Sequence, residues 1–137
     1  MGRIMSIDYG HVRCGLAVTD SLRITANALT TVSNKELFVF LDNYLSKEQV
    51  DILVVGYPRN LKNELAVITK EIDVFIARFS EKYPKIKVEL IDERFTSKLA
   101  FQTMIDSGIS KKARQNKALI DKISATIILE NYLDWNK

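Results

Sequence analysis

The sequence predicts an α/β protein with a five-stranded mixed sheet, an antiparallel meander followed by parallel strands, flanked by helices. Three observations predict it. Two apolar runs near the N-terminus, one ending at Asp8 and one passing through Gly15, are separated only by a turn containing Gly10, which reads as a hairpin. Two later apolar runs, 51–55 and 86–91, each follow a helical pattern, the alternation that builds parallel pairs through crossovers. The chain has 137 residues, 47% hydrophobic and 27% charged, which suits one folded domain over 1–137 with a core of its own.

Taken in order, the first strand runs from Ile4 and delivers a carboxylate, Asp8, to the rim of the sheet. Asp is also a common turn starter, so this stretch alone leaves Asp8 between a turn role and a chemical one. A third strand is expected over 24–32, where Thr30, Thr31 and Val32 concentrate β-branched residues. Ser33 and Asn34 can cap a helix over 35–47, whose Leu37, Phe38, Leu41, Tyr44 and Leu45 recur at helical spacing. The run 51–55 is continuously apolar, as in a strand buried on both faces, and Gly56 and Pro58 are expected to end it in a loop. A helix over 64–82 carries an apolar stripe through Leu65, Ile68, Ile72, Phe75, Ile76 and Phe79, and Pro84 stops it. A buried strand over 86–91 leads into Asp92, Glu93 and Arg94; a short helix capped by Thr96 or Ser97 reaches about residue 106, and Gly108 closes it. Lys111, Lys112, Arg114 and Lys117 form a basic segment before a last helix over 118–135.

Composition excludes several function classes. The net charge of +3 and pI near 9.0 permit an anionic partner. One cysteine, Cys14, cannot form an internal disulfide, which fits a reducing, cytoplasmic setting. One histidine, His11, and one cysteine are too few ligands for a usual zinc site of His and Cys. No apolar run reaches the roughly 20 residues of a membrane span, and no signal-peptide layout opens the chain.

The remaining chemistry is carboxylate chemistry. Asp8 closes the first strand, Asp92 and Glu93 close the last, and Asp121 lies in the first turns of the final helix. Ligands gather at the carboxyl ends of parallel strands, where Asp8, Gly56 and Glu93 are expected. Acids converging there repel one another unless a divalent cation joins them, and Mg²⁺ or Mn²⁺ suits oxygen-only sites. Two such ions could orient a water and stabilise the leaving oxygen in phosphodiester hydrolysis. Taken singly, Asp121 could be a favourable helix N-terminal charge and Asp92, Glu93 and Arg94 a surface ion pair. Strand parity does not choose between Asp92 and Glu93.

Ile7-Asp8-Tyr9-Gly10 with Arg13, Gly15, Ala17 and Asp20, then Gly56 and Pro58 with Asn60, then Asp92-Glu93-Arg94 with Thr96, then Asp121 with Ser124, Ala125, Ile128 and Leu129, together resemble the YqgF (RuvX) family along nearly the whole chain. The resemblance implies an RNase H-like fold related to the junction resolvase RuvC, and nuclease action on the 5′ end of pre-16S ribosomal RNA. It implies Asp8, Glu93 and Asp121 as catalytic, metal-holding acids, and Arg13, Asn60 and Arg94 as contacts to substrate phosphates or supports of the site. The sequence departs from the family after Asn60, where Leu61-Lys62-Asn63-Glu64 replaces a Gly-rich stretch, and at Tyr57, where Leu is usual.

Lys111, Lys112, Arg114 and Lys117 fit a flexible arm on a nucleic-acid backbone, or equally a solvated loop. The expected partner is precursor rRNA, on the ribosome or free, rather than structured DNA, with the protein a monomer and no membrane partner. The competing functions are a Holliday-junction-type DNA nuclease and a non-catalytic RNA-binding assembly factor. A two-lobed phosphate-binding fold of the sugar-kinase and actin type needs a longer chain.

Overall fold

The computed structural model describes residues 2–57, 63–92 and 117–135. The short helix expected over 96–106, the basic residues Lys111, Lys112 and Arg114, and Asn60, Glu93 and Arg94 lie outside the described residues.

The strands are β1 (Arg3–Asp8), β2 (Arg13–Thr19), β3 (Ala26–Ser33), β4 (Val50–Tyr57) and β5 (Lys87–Asp92); the helices are α1 (Leu37–Lys47), α2 (Asn63–Lys82) and α3 (Lys117–Trp135). They form one sheet in the order β3-β2-β1-β4-β5. β1 pairs antiparallel with β2, β2 antiparallel with β3, and β4 parallel with both β1 and β5. The mixed sheet is the one the sequence predicts.

Period-two alternation gives each strand two faces. Met5 and Ile7 of β1, Cys14, Leu16 and Val18 of β2, and Leu53 and Val55 of β4 pack with Leu37 and Leu41 of α1 and with Ile72, Phe75 and Phe79 of α2. On the other face, Ile4, Ala17, Val54 and Ile91 pack with Ala125, Ile128, Leu129 and Tyr132 of α3. The sheet therefore lies between two helical layers.

Three boundaries differ by two residues from the sequence reading. Neither expected cap works as one: Ser33 makes no side-chain cap hydrogen bond, and a 3₁₀ turn, Asn34–Glu36, delays α1 to Leu37. The Asn34 side chain instead donates to the Gly10 carbonyl at 2.8 Å, and its backbone N–H donates to Val12 O at 2.8 Å, so Asn34 ties β3 to the β1–β2 turn. The third strand starts at Ala26, because Asp20 accepts the N–H groups of Ile24 (2.8 Å) and Thr25 (2.9 Å) and Arg23 has φ 59°. These bonds, Thr25's first, hold the Asp20 carboxyl below its usual pKa and make Asp20 a turn residue. β4 continues through Gly56 and Tyr57, which pair with Ile91 and Asp92 of β5; tertiary pairing overrides the Gly signal.

The strand expected to be buried, β5, is the edge of the sheet, with Leu90 47% exposed. Its two faces are thus distinguishable. Ile91 packs under α3, and Glu89 accepts a hydrogen bond from Tyr132 of that helix.

Candidate active site

Asp8 is the last residue of β1, and its partner across the hairpin is Gly15 of β2. Ile4 and Ser6 of β1 face α3; Ser6 Oγ donates to the Ala125 carbonyl at 2.6 Å. The strand period puts Asp8 on that same face.

Gly15 sets how closely α3 approaches. A β-carbon on Gly15 would lie 2.0 Å from the Asp121 carbonyl oxygen and 2.4 Å from its carbonyl carbon. The helix backbone at Asp121 thus rests on β2 opposite the residue paired with Asp8. The backbone of Asp121 thus lies over the strand end that carries Asp8, 113 positions away in sequence (121 − 8). Both carboxylates act electrostatically on the Cys14 thiol, which packs on the other face of β2. Burial first, then Asp8 and Asp121, push its pKa up to about 11, against the lowering effect of the Gly10 carbonyl contact. Cys14 is a buried thiol of the core and no nucleophile.

Arg13, expected at substrate phosphates or as a support, is paired with Asp121: its Nε donates to Asp121 Oδ2 at 2.9 Å. The pair is part-buried, so the guanidinium offsets some of the repulsion between Asp121 and Asp8. His11 lies at the exposed turn, its Nδ1 2.6 Å from Glu71 Oε1, and takes no part in the acid pair. Tyr57, the departure from the family pattern, donates its hydroxyl to Asp73 Oδ1 of α2 at 3.2 Å, on the face away from α3. Lys117 is the first residue of α3.

Sequence reasoning missed Ser124 as a residue in its own right. It is 0% exposed, and among the described residues its Oγ has no hydrogen-bond partner. Nine residues on, Leu133 shares a cavity with Ala26 of β3. At 3.6 residues per turn that spacing is half a rotation, so Ser124 lies on the flank of α3 opposite Leu133. A buried serine one turn beyond an acid was the available signal.

Among the described residues no three Asp, Glu, His or Cys side chains gather to hold a metal ion. No helix among them is long and apolar enough to cross a membrane.

The model of the RuvX family, described as Holliday junction resolvase, matches residues 2–135. The chain is 49% identical over 133 residues to a candidate pre-16S rRNA nuclease of Flavobacterium psychrophilum, with 97% of each chain covered. It is 51% identical over 133 residues to one from Flavobacterium johnsoniae, with 97% of this chain and 96% of the relative covered. A relative of the same description from Bacteroides thetaiotaomicron is 48% identical over 134 residues, with 98% and 97% covered. Among solved structures, T. thermophilus RuvC in complex with Holliday junction substrate superposes with a TM-score of 0.59 at 15% identity, covering 98% of this chain and 96% of that one. At that identity the likeness shows the fold alone, which is RNase H-like.

Proposed function

Because the chain belongs to the RuvX family, we propose that it is a cytoplasmic, divalent-metal-dependent endonuclease that cleaves precursor 16S rRNA at its 5′ end, with Asp8, Glu93 and Asp121 holding Mg²⁺ or Mn²⁺. One observation carries the proposal: the missing side chain at Gly15 lets α3 bring Asp121 to the strand end that carries Asp8. Two carboxylates are not drawn together by packing, and a cation between them offsets their repulsion. Glu93 completes the set in this reading. The family pattern, not the strand position, selects Glu93 over Asp92 in this reading.

The donor chemistry fits. Carboxylates and one hydroxyl, with no imidazole or thiolate, suit a hard cation. The buried Ser124 Oγ, without a hydrogen-bond partner among the described residues, supplies a further polar group one turn from Asp121. When bound, one or two divalent ions would supply Lewis-acid charge to the phosphodiester and to the attacking water. Asp8 and Asp121 fix the position of that charge. Arg13 fixes the orientation of Asp121, and the strand end of β1 fixes that of Asp8. Lys111, Lys112, Arg114 and Lys117, with Asn60 and Arg94, serve backbone binding, which needs positive charge but no base recognition.

Purified protein with Mn²⁺ is expected to cut a pre-16S 5′ leader, best within a ribosomal particle, and to leave a mobile four-way DNA junction intact. The family's description as junction resolvase favours one second reading. Paired symmetric nicks in the junction, with the leader untouched, would establish that reading instead.

Ser124 gives a separate test. Removing a buried hydroxyl that has no partner among the described residues does not weaken their packing, since its desolvation goes uncompensated there. Ser124→Ala is expected to hold or raise the metal-free melting temperature, by up to about 3 °C, while weakening Mn²⁺ binding several-fold by titration calorimetry. Unchanged Mn²⁺ affinity would confine Ser124 to packing.

A further inference from the structure

On the face of the sheet away from α3, a cavity of about 290 Å³ opens between the end of β1, the start of α1 and the outer side of α2. Its aromatic wall is Tyr9, Phe38 and Phe75: the Tyr9 and Phe75 rings are 5.3 Å apart and the Phe38 and Phe75 rings 5.4 Å apart. Its rim carries two exposed cations, Lys70 and Arg78, and the Arg78 guanidinium lies 4.6 Å over the Phe38 ring. Among the described residues the one acid at the rim, Glu71, is engaged by His11. The cavity therefore combines flat apolar surface with net positive charge.

Its place in the fold matters as much as its lining. Tyr9 directly follows Asp8, and successive strand residues point to opposite faces. Asp8 faces α3, while Tyr9 packs into the α2 layer. A strand passing over the β1–β2 turn leaves the acids on one side of the sheet and meets this cavity on the other.

We propose that the cavity is a subsite for one unpaired nucleotide of the substrate, a few nucleotides from the cut. Its base lies against Phe38 and Tyr9, and its phosphate against Arg78 and Lys70. The inference rests on the nuclease reading and deepens it. Every base has a π-face, so aromatic surfaces beside cations hold single strands with little sequence preference. The volume is at the small end for ligand sites and suits one nucleotide, not a helix. A subsite of this kind favours substrates with a single-stranded segment beside the cut over fully paired ones.

The test uses the full chain carrying Asp8→Asn, so that bound RNA is not cleaved, with Mg²⁺ present. Fluorescence anisotropy of a labelled single-stranded octaribonucleotide compares this protein with the same protein carrying Lys70→Ala and Arg78→Ala, both at exposed positions. Affinity is expected to fall about tenfold, with a shallower salt dependence. A series of octamers with 2-aminopurine at successive positions is expected to show quenching at one position, lost in Phe38→Leu. Equal affinity for both proteins, or quenching indifferent to Phe38→Leu, would overturn the subsite. If the unsubstituted chain still cleaves the leader, that result leaves the nuclease reading standing. A chain that neither binds nor cleaves RNA overturns both.

Discussion

Asp8→Asn is expected to lower the rate of RNA hydrolysis by about 10³-fold or more while leaving the fold intact. Asparagine keeps the shape of the side chain and removes its charge. A loss of 10³ corresponds to about 4 kcal/mol in the barrier, within reach of removing one anionic ligand from a site built on two or three. The structural consequence has the opposite sign. Asp8 and Asp121 both push up the pKa of Cys14, after burial, so both are charges close to the same point, and removing one relieves repulsion. The metal-free melting temperature of Asp8→Asn should therefore equal or exceed that of the unsubstituted protein. Adding Mn²⁺ should raise the melting temperature of the unsubstituted protein by mass action on the folded state, and the substitution should abolish most of that rise. Full hydrolysis by Asp8→Asn, or an undiminished Mn²⁺ shift, would end the case for Asp8 as a metal ligand.

Local pattern carried the sheet further than it carried the site. The hairpin, the apolar run of β4 and the stripes of α1 and α2 are legible because strand and helix periods act over a few residues. Asp20 shows the limit: it belongs to the same motif as Asp8, yet its oxygen closes a turn by accepting two backbone N–H groups. Gly56 carries a loop signal in its local sequence, since what keeps it in β4 is pairing with Ile91, some 35 positions later (91 − 56). The edge position of β5 is a property of strand order, which no local window contains. The contact between Arg13 and Asp121 spans 108 positions, and only the family resemblance pointed to both residues. The Ser124 motif position was visible, but its burial without a partner among the described residues depends on how α3 sits on the sheet.

How α3 sits depends on Gly15, and Gly15→Ala is the second large effect expected. In an ordinary strand the change stabilises, because glycine loses more backbone entropy on folding, by roughly 0.5–1 kcal/mol. Here the sign reverses. The new methyl would stand 2.0 Å from the Asp121 carbonyl oxygen, 2.4 Å from its carbon and 3.0 Å from the Lys122 nitrogen. All three are backbone atoms of a helix, so no rotamer change relieves the clash. Carbon contacts settle near 3.5–4.0 Å, which requires α3 or β2 to shift by more than about 1 Å. That shift strains the packing of Ala125, Ile128 and Leu129, each at most 1% exposed, and the 2.6 Å bond from Ser6 to Ala125. Overpacking of this kind costs about 1–3 kcal/mol or more, and the melting temperature should fall by about 10 °C. The same displacement moves Asp121 away from Asp8. Misplacing a reacting group by about 1 Å can cost about 10²-fold in rate, so hydrolysis should drop by that factor well below the new melting temperature. Ser6→Ala is the control, since it loosens the same helix without pushing it and should spare most of the activity. A Gly15→Ala protein as stable and as active as the parent would mean that α3 does not rest on β2 at this point, and that the two acids are brought together by some other contact.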